Sequence, residues 1–104
     1  MRKTRSDATK LNETAALWLA DIADVVRKFG RIDTLVNNAA INPPTKTILQ
    51  DNLDDWRRTI RINLEAVYMG SKLVAPHMVQ RRYGRIISIA SIQGFASSGE
   101  TGAY

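Results

Sequence analysis

Two hydroxyl-bearing residues, Ser91 and Tyr104, form the pair in this sequence best suited to chemistry on a carbonyl group. Tyr104 follows Ser91 by thirteen positions, and Ser91 ends a mainly apolar run. A hydroxyl can polarise a carbonyl oxygen by hydrogen bonding, and a phenol can protonate that oxygen as it gains negative charge. Lowering a phenol pKa from about 10 to about 7 requires roughly 4 kcal/mol of preferential phenolate stabilisation. The pair alone therefore makes only half of such a site.

Two apolar segments that read as strands lead into polar residues. Residues 31–36 run into Asn37 and Asn38, and residues 85–91 end at Ser91. Neither segment alternates strictly between apolar and polar residues, which is typical of strands buried on both faces of a parallel sheet. In open parallel sheets ligands bind beyond the carboxyl ends of the strands, so we expect these polar residues to lie where chemistry takes place.

A helix is predicted before the first strand, from about Glu13 to Phe29. Its N-cap is predicted at Asn12 and its end at Gly30. Residues up to Lys10 show no helical period. The apolar positions of the helix recur in steps of three and four: Ala15, Leu19, Ile22, Val26 and Phe29.

A second, longer helix is predicted from Leu53, with Asn52 as N-cap and Asp55 in a capping-box arrangement. Pro76 predicts a kink in its final third, and Gly84 predicts the turn that follows it. The apolar stripe of this helix comprises Leu53, Trp56, Ile60, Leu64, Val67, Ser71, Val74 and Met78. The order helix, strand, long helix, strand predicts an α/β fold with parallel strands joined by crossovers.

Four blocks of sequence, in matching order and spacing, resemble the middle of a short-chain dehydrogenase/reductase. The blocks are Phe29-Gly-Arg-Ile-Asp-Thr-Leu-Val-Asn-Asn-Ala-Ala40; Trp56 with Ile62-Asn-Leu64; Gly84-Arg-Ile-Ile-Ser-Ile-Ala-Ser91; and Tyr104. The resemblance covers residues 13 to 104, approximately. It implies a partial Rossmann-type, doubly wound parallel sheet, with residues 1–104 forming one incomplete dinucleotide-binding domain.

The resemblance also implies an activity, the interconversion of a carbonyl and an alcohol by hydride transfer with NAD or NADP. It assigns Tyr104 as the proton donor and Ser91 as the hydrogen-bond donor to the substrate oxygen. Asn63 is implied to hold a water through its backbone, as part of a relay to solvent. Without the resemblance, an Asn in the middle of a helix is more often a core polar group or an exposed residue.

A polar turn after the first strand is implied to contact the adenosine half of the cofactor. The turn comprises Asn37, Asn38, Ala39 and Ala40, and Ala40 stands where the family has Gly. The backbone at this position must therefore accept a residue with a Cβ. Ser88 is interpreted as a structural residue.

Two parts of the family pattern have no counterpart in residues 1–104. One is the Gly-rich turn that lets backbone approach a pyrophosphate, and the other is the Lys expected four positions after Tyr104. We therefore expect the isolated chain to be inactive. The alternative is a non-catalytic oligomerisation or interaction module of the same fold. Residues 53–82 would form its contact helix, as they would in a homo-oligomer of a full-length relative.

Composition narrows the remaining classes of function. The chain has 104 residues, a formal net charge of +5 and no Cys, which excludes disulfides, thiolate metal sites and a Cys nucleophile. The single His has no partner at metal-ligand spacing, so no metal site is expected. The basic residues are dispersed, which makes nucleic-acid binding an unfavoured reading. With no apolar run of membrane-spanning length and no signal sequence, the interpretation is a cytoplasmic protein acting on a small-molecule carbonyl or alcohol.

Overall fold

The computed structural model describes residues 5–42 and 47–96, with side chains described from residue 15. Along the chain, α1 (Arg5–Phe29), β1 (Thr34–Asn37), α2 (Leu53–Ile60), α3 (Ala66–Arg81) and β2 (Arg85–Ser88) follow one another. A π-helical turn at Arg61–Glu65 joins α2 to α3, and a 3-10 helix at Ile92–Gly94 follows β2. In this part of the chain, no helix is long and apolar enough to cross a membrane.

The strands β1 and β2 pair directly in a two-stranded sheet. The N–H of Arg85 donates to the C=O of Asp33, and the N–H of Ile89 donates to the C=O of Asn37, each at 2.9 Å. Because the paired residues advance together along both strands, the strands are parallel. The α/β prediction with parallel strands is confirmed. Both strands are shorter than expected, and β2 ends three residues before Ser91.

The first helix is longer than predicted. It begins at Arg5, so the expectation that Asn12 caps it was wrong. The prediction relied on an apolar stripe, and residues 5–10 do not have one. A helix can nevertheless continue through residues whose helix propensity is acceptable. The predicted end is confirmed: Gly30 has φ +73°, and its N–H donates to the C=O of Val26 at 2.7 Å.

The α2–π–α3 segment forms the predicted long helix. Asn52 caps it as expected: its side-chain oxygen accepts from the N–H of Asp55 at 2.9 Å. The return contact differs from a capping box, since the Asp55 carboxylate accepts from the Asn52 side-chain amide, and Asp51 accepts from the Asn52 backbone N–H. The chain stays helical through Pro76. An irregularity that was not predicted lies in the π-helical turn, where the N–H of Ala66 donates to the C=O of Arg61.

The described residues divide into two compact units. One contains the described residues up to Leu35 together with Met69–Arg85, and the other contains those of Val36–Tyr68 and those from Ile86 onward. The apolar core belongs to the first unit. Its buried members are Ile22, Ile32, Val74 and Met78, with Trp18, Val26, Leu35 and Leu73 packed against them. Leu19 and Phe29, predicted for the inner face of α1, are 51% and 64% exposed.

Candidate functional site

Ser91 lies just beyond β2 and begins the next structural element. Its backbone is extended, with φ −128° and ψ 149°, and its Oγ accepts from the N–H of Gln93 at 3.1 Å. The residue therefore acts as N-cap of the 3-10 helix Ile92–Gly94. A hydroxyl that accepts one hydrogen bond keeps its own proton as a donor. This geometry suits a group that donates a hydrogen bond to a substrate oxygen, with its position fixed by the cap.

Asn37 is the last residue of β1 and is 8% exposed. Its Nδ2 donates to the Oγ of Ser88 at 3.3 Å, and its C=O accepts from Ile89. A buried amide needs such partners, because leaving it unpaired would cost about 1–3 kcal/mol. The side chain of Asn37 thus links the ends of the two strands. Ser88, read from the sequence as structural, supplies the other half of this link.

The three residues after Asn37 are exposed: Asn38, Ala39 and Ala40. They form the segment that leaves the carboxyl end of β1. Their small or polar side chains leave the backbone accessible to a planar or polar group.

Asn63 sits in the π-helical turn and holds the backbone of Ile41 at two points. Its Oδ1 accepts from the Ile41 N–H, and its Nδ2 donates to the Ile41 C=O, each at 2.8 Å. The side-chain amide therefore imitates a neighbouring peptide strand. This contact fixes the residue that directly follows the Asn38–Ala40 turn.

The side-chain contact of Asn63 was not predicted from the sequence, where this residue was expected only to hold a water through its backbone. A polar residue amid the apolar stripe of a long helix was the available signal. Such a residue must find partners when it is half-buried, and a loop backbone is one source of them. The sequence does not indicate which loop residue provides these partners.

A charged group lies at the opposite, amino end of β1. The carboxylate of Asp33 accepts from Arg31 Nε at 2.9 Å and from Arg81 Nη1 at 3.0 Å. The pKa of Asp33 is lowered, first by its hydrogen bond to Arg31 and then by that to Arg81. The pKa of Arg31 is raised by the same hydrogen bond. This group ties the start of β1 to the end of α3 and lies within the first unit.

Of the candidate residues, six lie in the described part of the second unit: Asn37, Asn38, Ala39, Ala40, Asn63 and Ser91. Tyr104 lies outside the described residues, so its relation to Ser91 remains a prediction. In the described part of the chain, no group of three or more His, Cys, Asp or Glu side chains could hold a metal ion.

Comparison with known proteins connects this chain to a family. A 3-oxoacyl-(acyl-carrier-protein) reductase of Thermotoga maritima is 34% identical over 97 residues, covering 91% of this chain and 39% of the relative. An uncharacterised oxidoreductase of the same organism is 40% identical over 87 residues, covering 80% of this chain and 34% of the relative.

A solved structure shows the same architecture. It is the crystal structure of an NAD⁺-bound xylitol dehydrogenase, with a TM-score of 0.82 and 31% identity, covering 86% of this chain and 35% of that one. This likeness confirms a partial Rossmann-type fold. The chain spans little more than a third of the length of these proteins. Residues 4–104 match the short chain dehydrogenase family, and the chain belongs to that family.

Proposed function

We propose that this chain is the central part of an NAD(P)-dependent oxidoreductase that interconverts a carbonyl and an alcohol by hydride transfer. The observation that carries the proposal is Ser91, held by its cap bond to Gln93 just beyond the carboxyl end of β2. Hydride transfer to a carbonyl builds negative charge on its oxygen. A fixed hydroxyl donor at that point stabilises the charge without having to reorganise during the reaction.

The other groups have distinct proposed roles. Tyr104 donates the proton to the developing alkoxide, or removes it in the reverse direction. Asn63 holds a water through its backbone carbonyl, since both polar atoms of its side chain bind Ile41. A nicotinamide cofactor, when bound, would supply or accept the hydride.

The cofactor surface is proposed at Asn37, Asn38, Ala39 and Ala40. Asn37 supports it indirectly, through its link to Ser88, whereas the exposed residues Asn38–Ala40 present the contact surface. The cofactor is NAD or NADP. The likeness to an NAD⁺-bound xylitol dehydrogenase supports a nicotinamide cofactor of one of these two kinds.

Residues 1–104 alone form an incomplete dinucleotide-binding domain in this proposal, and the site of action is cytoplasmic. The Lys that the family pattern places four positions after Tyr104, and that would help to lower a phenol pKa, would lie outside residues 1–104. We therefore expect purified 104-residue chain to give no NADH- or NADPH-dependent reduction of ketones. Measurable turnover that follows the protein through purification would contradict this expectation.

The catalytic assignment is tested in the product of the whole reading frame that contains this sequence. An in-frame Lys four positions after Tyr104 and a Gly-rich turn upstream are expected there. In that product, Ser91→Ala is expected to lower kcat by about 10²–10³, because one donor to the oxyanion is lost. Cofactor affinity should stay unchanged. The control is Thr34→Ala, an exposed position at the start of β1. Equal activity of the Ser91→Ala and control variants would refute the role of Ser91.

An interaction module is the second candidate, supported by the exposed apolar side chains of the long helix. Leu53, Trp56, Leu64 and Tyr68 are 53%, 40%, 62% and 63% exposed. Their spacing places them along one side of the helix. In this alternative, residues 53–82 pack against a second copy and no nicotinamide cofactor binds. A folded oligomer that shows no change in NADH fluorescence on mixing would favour it.

A further inference from the structure

The carboxyl ends of β1 and β2 are joined at Asn37 by two hydrogen bonds of different kinds. The backbone C=O of Asn37 accepts from the N–H of Ile89 at 2.9 Å, and its side-chain Nδ2 donates to the Oγ of Ser88 at 3.3 Å. One residue of β1 therefore contacts both the last residue of β2 and the residue that follows it. A backbone contact combined with a side-chain contact fixes the two strand ends more completely than one ladder hydrogen bond does.

Ser88 interrupts a run of Ile residues, namely Ile86, Ile87 and Ile89. Ile favours strands because its branched side chain packs well on a pleated surface, and Ser has no such advantage. What Ser offers is a hydroxyl oxygen that can accept a hydrogen bond. The side-chain amide of Asn37 uses that oxygen. The contact with Asn37 therefore gives a physical reason for Ser at this position, which strand preference does not.

The link between Asn37 and Ser88 lies between the two halves of the proposed site. Asn38, the first residue of the exposed turn, follows Asn37 directly, and Ser91 comes three residues after Ser88. All four residues belong to the second unit. The link is therefore a fixed point from which the chain leads to the cofactor surface in one direction and to the proposed oxyanion donor in the other.

The turn that follows β1 is held at both of its ends. Asn63 binds the backbone N–H and C=O of Ile41 at 2.8 Å, and the link to Ser88 holds Asn37. Only three residues lie between these two anchors, so the turn has little freedom to rearrange. A surface that is already ordered binds a ligand without the entropy cost of ordering a mobile loop. Loosening either anchor is therefore expected to weaken binding at the turn.

We propose that Ser88 is a positioning residue of the reaction: by accepting from Asn37, it fixes the Asn38–Ala40 turn relative to Ser91 and so sets the fit of the nicotinamide cofactor. The inference rests on the proposed function. Ser88 acts through Asn37 and needs no contact with the cofactor or the substrate. Ser91 has its own cap bond to Gln93, so loss of the link displaces the turn more than the Ser91 hydroxyl. Binding of the cofactor is therefore the step that depends on Ser88.

Steady-state kinetics of the product of the whole reading frame test this role. Ser88→Ala is expected to raise the KM for NADH or NADPH roughly two- to tenfold, the range for one lost hydrogen bond, while kcat at saturating cofactor changes less. A merely structural defect would reduce the amount of folded enzyme, which lowers the apparent kcat and leaves KM unchanged. Ser88→Thr keeps the hydroxyl and should keep the cofactor KM within about twofold of wild type. Thr34→Ala, which removes a hydroxyl at the amino end of β1, is the matched control and should leave this KM unchanged.

A double-mutant cycle tests whether Ser88 acts through Asn37. Asn37→Ala is expected to raise the cofactor KM by itself, and adding Ser88→Ala should then have little further effect, because residues in direct contact are coupled. Additive effects would overturn the inference, as would equal cofactor KM values for Ser88→Ala and Ser88→Thr. A wild-type product without nicotinamide-dependent turnover would refute the proposed function and this inference with it. An active product whose cofactor KM is unchanged by Ser88→Ala would refute the inference alone.

Discussion

Asn63 shows how a residue can be found from the sequence while its main contact is not. Its position within the long helix and its neighbours indicated a functional Asn. The structure adds that both polar atoms of the side chain bind the backbone of Ile41 at 2.8 Å. These bonds join the π-helical turn to the end of the Asn38–Ala40 turn. A single amide therefore supports the proposed cofactor surface from the helix side.

Removing this amide should destabilise the chain. Asn63→Leu keeps a side chain of similar size but leaves the Ile41 N–H and C=O without these partners. The free energy of unfolding is expected to fall by about 1–3 kcal/mol. Partly buried polar groups without a protein partner cannot fully replace the lost bonds with bonds to water. Urea unfolding measures the change in free energy, and hydrogen exchange should show faster exchange of the Ile41 amide.

Asn42→Leu is the matched control, since Asn42 is an exposed Asn of the same loop. Its free energy of unfolding should change by less than about 0.5 kcal/mol, as is usual for exposed positions. Equal effects of the two Leu substitutions would show that the Asn63 bonds contribute nothing specific to stability.

Ser91, like Asn63, was identified from the sequence without its main contact. The sequence indicated its hydroxyl but not the cap bond that this hydroxyl accepts from Gln93.

Among the secondary-structure elements, the helix ends were predicted best where a single residue type has a clear physical role at that end. Gly30 ends α1 because its positive φ suits a residue without Cβ, and Asn52 begins α2 through a side-chain acceptor. The π-helical turn was not predicted, since its residues have no propensity that distinguishes them from α-helix. The start of α1 was missed because the sequence of residues 5–10 carries no apolar period from which a helix could be predicted.

The end of α3 leads to a prediction about backbone strain. Arg82 has φ 53°, in the left-handed region. The N–H of Tyr83 donates to the C=O of Met78 at 3.1 Å, and that of Arg82 donates to Val79 at 3.0 Å. This pattern is a Schellman motif, in which Gly usually occupies the position held here by Arg82.

Arg82→Gly is therefore expected to stabilise the chain by about 1 kcal/mol, the approximate cost of a left-handed conformation for a residue with a Cβ. Gln80→Gly is the control, two residues earlier in α3, where Gly should destabilise by about 0.5–1 kcal/mol. Thermal unfolding followed by circular dichroism should give midpoints that move in opposite directions. Midpoints that fall together would show that the motif imposes no strain at Arg82.

For the whole molecule, the described residues bury few apolar side chains relative to those they expose. Four buried residues form the core of the first unit: Ile22, Ile32, Val74 and Met78. Large apolar side chains stay exposed on every described helix and strand of more than three residues, including Phe29, Leu64, Tyr68, Val79 and Ile87. Hydrophobic patterning predicted which side chains are suited to burial. It could not show which of them are covered by other side chains of the described residues.

A small core makes stability depend strongly on each member, which leads to a test on one helix. Val74 is 2% exposed, whereas Val79, five residues later in α3, is 73% exposed. Val74→Ala removes two methylene equivalents from the core and is expected to cost about 2 kcal/mol, from lost burial and the remaining cavity. Val79→Ala should be neutral or slightly stabilising, because Ala is the better helix former. Since small domains are only marginally stable, the first change should shift the urea midpoint by a large fraction of its value. Similar midpoints for the two variants would mean that Val74 is not part of a packed core in solution.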